Sequence, residues 1–189
     1  MQIDKDTQTL IDERIKNNAP PLESFSPQEL RALRAKMAET PEKLRVYISY
    51  VEDFTIKGSL GPITVRKYFN ENSDTLINQK QPLIIYFHGG GFVMGDLESH
   101  DLVCRHLCKQ TNATIIAVDY KLAPEHKFPA AITDTIDAIT EIISRADEFN
   151  IDQNKVILSG DSAGGALATV GTIMSRDKLI PKVHGQILV

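Results

Sequence analysis

KVILSGDSAGGALATVGTIMS, residues 155–175, is the stretch that decides the fold. It opens on a β-type run, Lys155–Ser159, and closes on a helical run rich in small residues, Ser162–Ser175. Between them lies Gly160-Asp161-Ser162-Ala163-Gly164, with the spacing G-x-S-x-G. A strand that turns sharply into a helix strains the backbone at the serine. Small residues two before and two after it leave room for that turn. Such a turn lifts the Ser162 hydroxyl off the end of a sheet, with a helix N-terminus behind it that favours negative charge. The same residues also suit an ordinary helix N-cap serine, so the flanking chain has to discriminate.

Upstream, two more apolar runs read as strands buried on both faces: PLIIYF (82–87) and ATIIAV (113–118). Helical patterns separate them, Asp101–Gln110 and Pro129–Phe149, the latter with Ile132, Ile136, Ile139 and Ile143 along one face. Downstream, VHGQILV (183–189) begins a fourth strand. This β-α-β-α-β-α-β succession predicts an α/β fold: a mostly parallel sheet, right-handed crossovers and helices on both faces. Before it, Val51–Lys57 and Ile63–Phe69 read as two strands joined by a turn at 58–62, and Asn70–Gln81 as a polar surface connection. The first 45 or so residues read as helical. Ser26-Pro27-Gln28-Glu29 has the pattern of a capping box with proline in the first turn, Leu30, Leu33, Arg34 and Met37 follow at helical spacing, and Pro41 marks the end.

In open α/β sheets, ligands collect beyond the carboxyl ends of the strands. Three notable stretches fall there: HGGGF (88–92), DYKLAPEHKFPAA (119–131) and GDSAGG (160–165). Acyl transfer puts negative charge on a former carbonyl oxygen, and fixed backbone N–H groups stabilise it by roughly 3 kcal/mol each. Glycines expose such groups without side chains in the way. Gly90, Gly91 and the amide of Ala163 are therefore the expected oxyanion donors, with Gly89 alongside them. His88 precedes the serine, whereas the base of this fold follows it. Its expected role is to hold the glycine turn in shape. A dinucleotide loop would need G-x-G-x-x-G; Gly89 and Gly91 fit but Met94 stands at the third position, and such a loop leaves the serine turn unexplained.

Composition narrows the class. A chain of 189 residues with 42% hydrophobic and 24% charged residues suits a globule with a core. The net charge of -4 offers no basic stripe for nucleic acid. No apolar run approaches a membrane span, and MQIDKDTQ lacks the form of a secretory signal. Cys104 and Cys108 lack zinc-site partners and read as reduced thiols of a cytoplasmic protein.

Together the three motifs resemble the hormone-sensitive-lipase family of esterases, in the α/β-hydrolase superfamily. The two early strands resemble that family's first strands too, so the likeness spans essentially the whole chain. It implies hydrolysis of small carboxylic esters, with no metal or organic cofactor. It implies that residues 1–45 are an N-terminal helical cap portion over a core at 46–189. It also implies that Asp119, Glu125 and Asp161 support the site rather than react.

The triad of this fold runs serine, acid, histidine along the chain. Only 27 residues follow Ser162, with one aspartate, Asp177, and one histidine, His184. Asp177 lies fifteen residues on, about 22 Å along a helix. His184 would start the next strand at the edge of the sheet opposite the serine turn. A base must come within about 3 Å of the serine oxygen. The expectation is thus an incomplete α/β-hydrolase fold with nucleophile and oxyanion hole but no triad acid or histidine, nearly inactive alone. Strand 183–189 would be an exposed edge prone to self-association or to pairing with a missing C-terminal half. The alternative is a naturally shortened, non-catalytic member that binds a small acyl ligand or a partner chain.

Overall fold

Apolar runs with period-two alternation on both faces become the middle of one six-stranded sheet. The computed structural model describes residues 3–18, 20–38, 44–71 and 80–189. The strands are β1 (Tyr50–Ile56), β2 (Ile63–Phe69), β3 (Gln81–Phe87), β4 (Thr114–Asp119), β5 (Ile151–Gly160) and β6 (Gly185–Leu188), in the order β1-β2-β4-β3-β5-β6. β1 and β2 pair antiparallel, as do β2 and β4; β4, β3, β5 and β6 are mutually parallel. The expected mostly parallel α/β sheet is present.

Alternation decides what each face receives. Leu83, Ile85 and Phe87 of β3, Ile116 and Val118 of β4, and Val156 and Leu158 of β5 point to one side. There they meet α4 (Ala130–Ser144) and α5 (Ala163–Arg176). Ile84, Tyr86, Ile115 and Ala117 point to the other, against Cys104 and Cys108 of α3 (Asp101–Thr111). Each such fully buried aliphatic side chain contributes about 1.5–3 kcal/mol. α5 reaches its neighbours because its residues are small. A Cβ on Gly171 would lie 2.6 Å from Ile139 Cδ1 and 2.7 Å from Leu158 Cδ1.

Two details of α4 differ from the sequence expectation. The helix ends at Ser144, and residues 145–150 turn instead; Phe149 is buried there against Phe54, ring centroids 4.9 Å apart. The face toward the sheet carries Thr135, Ala138, Ile139, Ile142 and Ile143, so Ile139 and Ile143 lie as expected, while Ile132 and Ile136 are only half-buried. Asp134 shares the inward side: it is fully buried and accepts hydrogen bonds from the Lys121 backbone N–H at 2.9 Å and its ammonium at 3.2 Å.

Before the sheet lie α1 (Lys5–Lys16) and α2 (Pro27–Ala38). The capping box forms as expected: Glu29 N–H donates to Ser26 Oγ at 3.2 Å and Ser26 N–H to Glu29 Oε2 at 2.7 Å. Leu33 is nevertheless exposed. Pro41, and most of the connection before Gln81, lie outside the described residues. Cys104 and Cys108 are free and buried. No helix among the described residues is long and apolar enough to cross a membrane.

Candidate active site

The serine turn forms where β5 runs into α5. Ser162 has φ 52° and ψ -116°, a backbone conformation that costs a non-glycine residue about 1–3 kcal/mol and persists only where its surroundings over-determine it. Here they do. Its own N–H donates to Val189 O at 2.9 Å, its carbonyl accepts from Ala166 N–H at 3.1 Å, and Gly164 N–H closes on Asp161 O at 2.8 Å. The side chain is exposed at the carboxyl edge of the sheet. Ala163 opens α5, where the backbone N–H has no intrahelical acceptor.

Glycines on both sides make the close approach possible. A Cβ on Gly160 would lie 2.5 Å from Phe87 O, and one on Gly164 2.6 Å from Phe87 C and 2.7 Å from His88 O. The end of β3 therefore rests directly on the first turn of α5, bringing residues 88–92 beside Ser162.

Those residues form a turn with φ positive at Gly90 (128°), Gly91 (64°) and Phe92 (62°). Val93 N–H and Met94 N–H both donate to Gly90 O, at 3.1 and 2.9 Å. Gly89 behaves differently from its neighbours. Its N–H donates to Asp161 Oδ1 at 2.9 Å. This corrects the expectation for Gly89: its amide is committed to the residue before the serine, so it tethers the turn rather than serving an oxyanion.

His88 is buried. Its Nδ1–H donates to Gly89 O at 2.8 Å, its ring stacks on Tyr120 at 4.4 Å, and Tyr120 Oη–H donates to His88 O at 2.7 Å. Burial pushes the imidazole down to about 4, so it is neutral at pH 7. The ring is thus packed between the glycine turn and Tyr120.

Asp161 is a hub that the motif alone did not reveal. Besides Gly89 it accepts from Tyr86 Oη at 2.8 Å and lies 3.3 Å from His100 Nε2. Burial, the largest single influence, pushes its pKa up. The Tyr86 hydrogen bond, the electrostatic influence of His100 and the Gly89 amide together outweigh it and hold the carboxyl below its usual range. The sequence expectation gave Tyr86 and His100 no supporting role at the site, since His100 precedes the serine and Tyr86 lies within the apolar run 82–87.

Asp119 ends β4, exposed and opposite Thr64 of β2. Glu125 stands on the turn after β4 and pairs with Arg31 of α2, 2.8 Å apart. Ala123 N–H on the same turn donates to Phe92 O at 2.8 Å, joining it to the glycine turn. Arg31 is a site neighbour that the sequence did not single out.

The later acid and histidine lie elsewhere. Asp177 caps the C-terminus of α5 and pairs with Arg176. β5 and β6 run parallel, with Ile157 opposite Gly185 and Gly160 opposite Leu188. His184 exchanges hydrogen bonds with Val156, donating its N–H at 2.7 Å and accepting on Nδ1 at 3.3 Å. Val156 is four residues, or about 13 Å, below the end of β5. Among the described residues no histidine is hydrogen-bonded to Ser162 Oγ.

A profile of the alpha/beta hydrolase fold matches residues 84–189. The chain is 38% identical to Esterase LipI of Mycobacterium tuberculosis over 160 residues, covering 84% of this chain and 49% of LipI. It is 36% identical to the acetyl esterase of Salmonella schwarzengrund over 120 residues, 64% of this chain and 35% of that protein. Among solved structures, the hyperthermophilic esterase of Pyrobaculum calidifontis superposes with a TM-score of 0.80 at 40% identity, over 86% of this chain and 52% of that one. The ester-hydrolase EH1AB1 from the Lake Arreo metagenome gives 0.85 at 32% identity, over all of this chain and 60% of that one. The chain spans between about a third and a half of the length of the curated relatives it matches.

Proposed function

Because the chain belongs to the α/β-hydrolase fold family, in the branch that contains hormone-sensitive lipase, we propose that it carries the nucleophile and oxyanion hole of a carboxylic ester hydrolase. Ser162 attacks the ester carbonyl, and the amides of Gly90, Gly91 and Ala163 take the charge that develops on its oxygen. The observation that carries this is the strained, exposed Ser162 beside a glycine turn tethered to its neighbour Asp161. His88, Asp161 and Glu125 hold that arrangement from behind, and Asp119 stands beyond β4 as a further support. Residues 1–45 serve as a cap portion over the core at 46–189, with Glu125 as its seat. The relatives' names point to esters as substrate class.

Turnover needs a base for Ser162, and His184 and Asp177 sit too far away to supply it. Removing the triad forfeits orders of magnitude, while an oxyanion hole alone keeps roughly 10³–10⁴ over water in a well-studied protease. The chain should therefore hydrolyse p-nitrophenyl butyrate slowly, and Ser162→Ala should change that rate little. An ordinary esterase rate abolished by Ser162→Ala would overturn the missing base. No rate above buffer would overturn the oxyanion hole and favour a non-catalytic acyl binder.

β6 is the outer strand of the sheet among the described residues, hydrogen-bonded only to β5, with Ile187 44% and Leu188 49% exposed. An open apolar edge of this kind pairs with another strand. We propose that it takes one from a second copy or from a separate C-terminal half. Light scattering on the purified chain should show dimers or larger species, and Ile187→Lys should shift them toward monomer; a monodisperse monomer of the unaltered chain would count against the pairing.

A further inference from the structure

We infer that Arg31 is the positioning residue of the oxyanion turn, through which helix α2 sets the direction of the Gly91 amide. Its part in catalysis rests on the esterase reading above. The guanidinium bridges two turns. Its Nε–H donates to Val93 O at 2.7 Å; Nη2 donates to Ala123 O at 2.9 Å and Glu125 Oε2 at 2.8 Å; Nη1 donates to Glu125 Oε1 at 2.9 Å. Gln28 Nε2 adds a longer bond to Glu125 Oε1, 3.3 Å. A planar fork holds these acceptors on two turns in fixed directions, where an ammonium on a flexible stem offers its donors without that fixed geometry.

The partners of that fork determine the peptide plane that matters. Gly90 C=O and Gly91 N–H belong to one trans peptide unit and point in opposite directions. Gly90 O is held by Val93 N–H and Met94 N–H. Val93 O, in the same peptide unit as the Met94 N–H, is held by Arg31. Phe92 O is held by Ala123 N–H, and Ala123 O again by Arg31. Gly90 and Gly91 have no side chains to lock them, so restraint must come through these acceptors. Arg31 and Glu125 are partly exposed, so their ion pair adds little to global stability. Its effect is local order in residues 90–94.

Hydrogen exchange on the full chain tests this. Arg31→Ala should speed exchange in segments covering 90–95 and 121–126 by about tenfold or more, leaving β3, β5 and α5 unchanged. Arg31→Lys should not restore protection, and Glu125→Gln should give a smaller acceleration in the same segments. Hydrolysis of p-nitrophenyl butyrate should fall in kcat by about tenfold in Arg31→Ala, with KM within about twofold. Unchanged exchange at 90–95, acceleration spread evenly over the chain, or full rescue by lysine would each overturn the positioning role. Failure of the esterase reading shows separately, as no hydrolysis above buffer by the unaltered chain, and the exchange result stands without it.

Discussion

Replacing Gly164 by alanine is expected to lower the melting temperature by roughly 6–12 °C, from a loss of about 3 kcal/mol or more. A Cβ there would overlap the Phe87 carbonyl, at 2.6 Å from its carbon and 2.7 Å from His88 O. These are backbone atoms of a buried strand end, so no side-chain rotation relieves the clash. Relief requires moving α5 away from β3, which also separates Ser162 from the glycine turn. Alanine's better helix propensity returns only about 1 kcal/mol. Gly165 supplies the control. Its Cβ would meet Gly160 O at 3.2 Å, so a small shift suffices, and Gly165→Ala should stay within about 1 kcal/mol of the unaltered chain. Thermal unfolding of the two variants side by side measures the difference. Equal, small effects would mean that the approach of α5 to β3 is looser than described.

The second large effect concerns the Lys121–Asp134 pair. Asp134 is fully buried and accepts from both the Lys121 backbone and its ammonium, while the lysine side chain is 16% exposed. Removing one partner of a buried pair costs about 3–5 kcal/mol, because the other charge is left without compensation. Asp134→Ala should fall at the lower end, about 3 kcal/mol, since Lys121 can swing partly toward water. Lys121→Met should cost at least as much, leaving the carboxylate with one backbone N–H. Denaturant unfolding of each variant gives the values. A change below about 1 kcal/mol for Asp134→Ala would show that the pair is not held as a buried ion pair.

Much of the fold was legible because its strands are buried on both faces. PLIIYF and ATIIAV could be little else, and the G-x-S-x-G turn announced the junction between β5 and α5. What escaped were long-range polar contacts. The apolar spacing of 129–149 gives Asp134 no part, and its burial shows only in its bonds to Lys121, on the turn after β4. The apolar spacing continues past Ser144 to Phe149, so periodicity alone cannot show that the helix has ended and Phe149 packs on Phe54 from a turn. In the site, three consecutive glycines look equivalent until the Asp161 carboxylate takes the Gly89 amide. Arg31 and Glu125 stand 94 residues apart, and nothing in the amphipathic pattern of α2 distinguishes Arg31 from Arg34.

The proposed convergence of three amides above Ser162 is tested by an NMR titration of the isotopically labelled chain with 1-butaneboronic acid, whose tetrahedral adduct on a serine oxygen mimics the acyl-transfer intermediate. The expected result is that the amide signals of Gly90, Gly91 and Ala163 move together as the adduct forms, that Gly89 stays with Asp161, and that Ser162→Ala abolishes the shifts. Shifts at Gly89 instead, or an adduct on Ser162 that leaves Gly90, Gly91 and Ala163 unmoved, would contradict it.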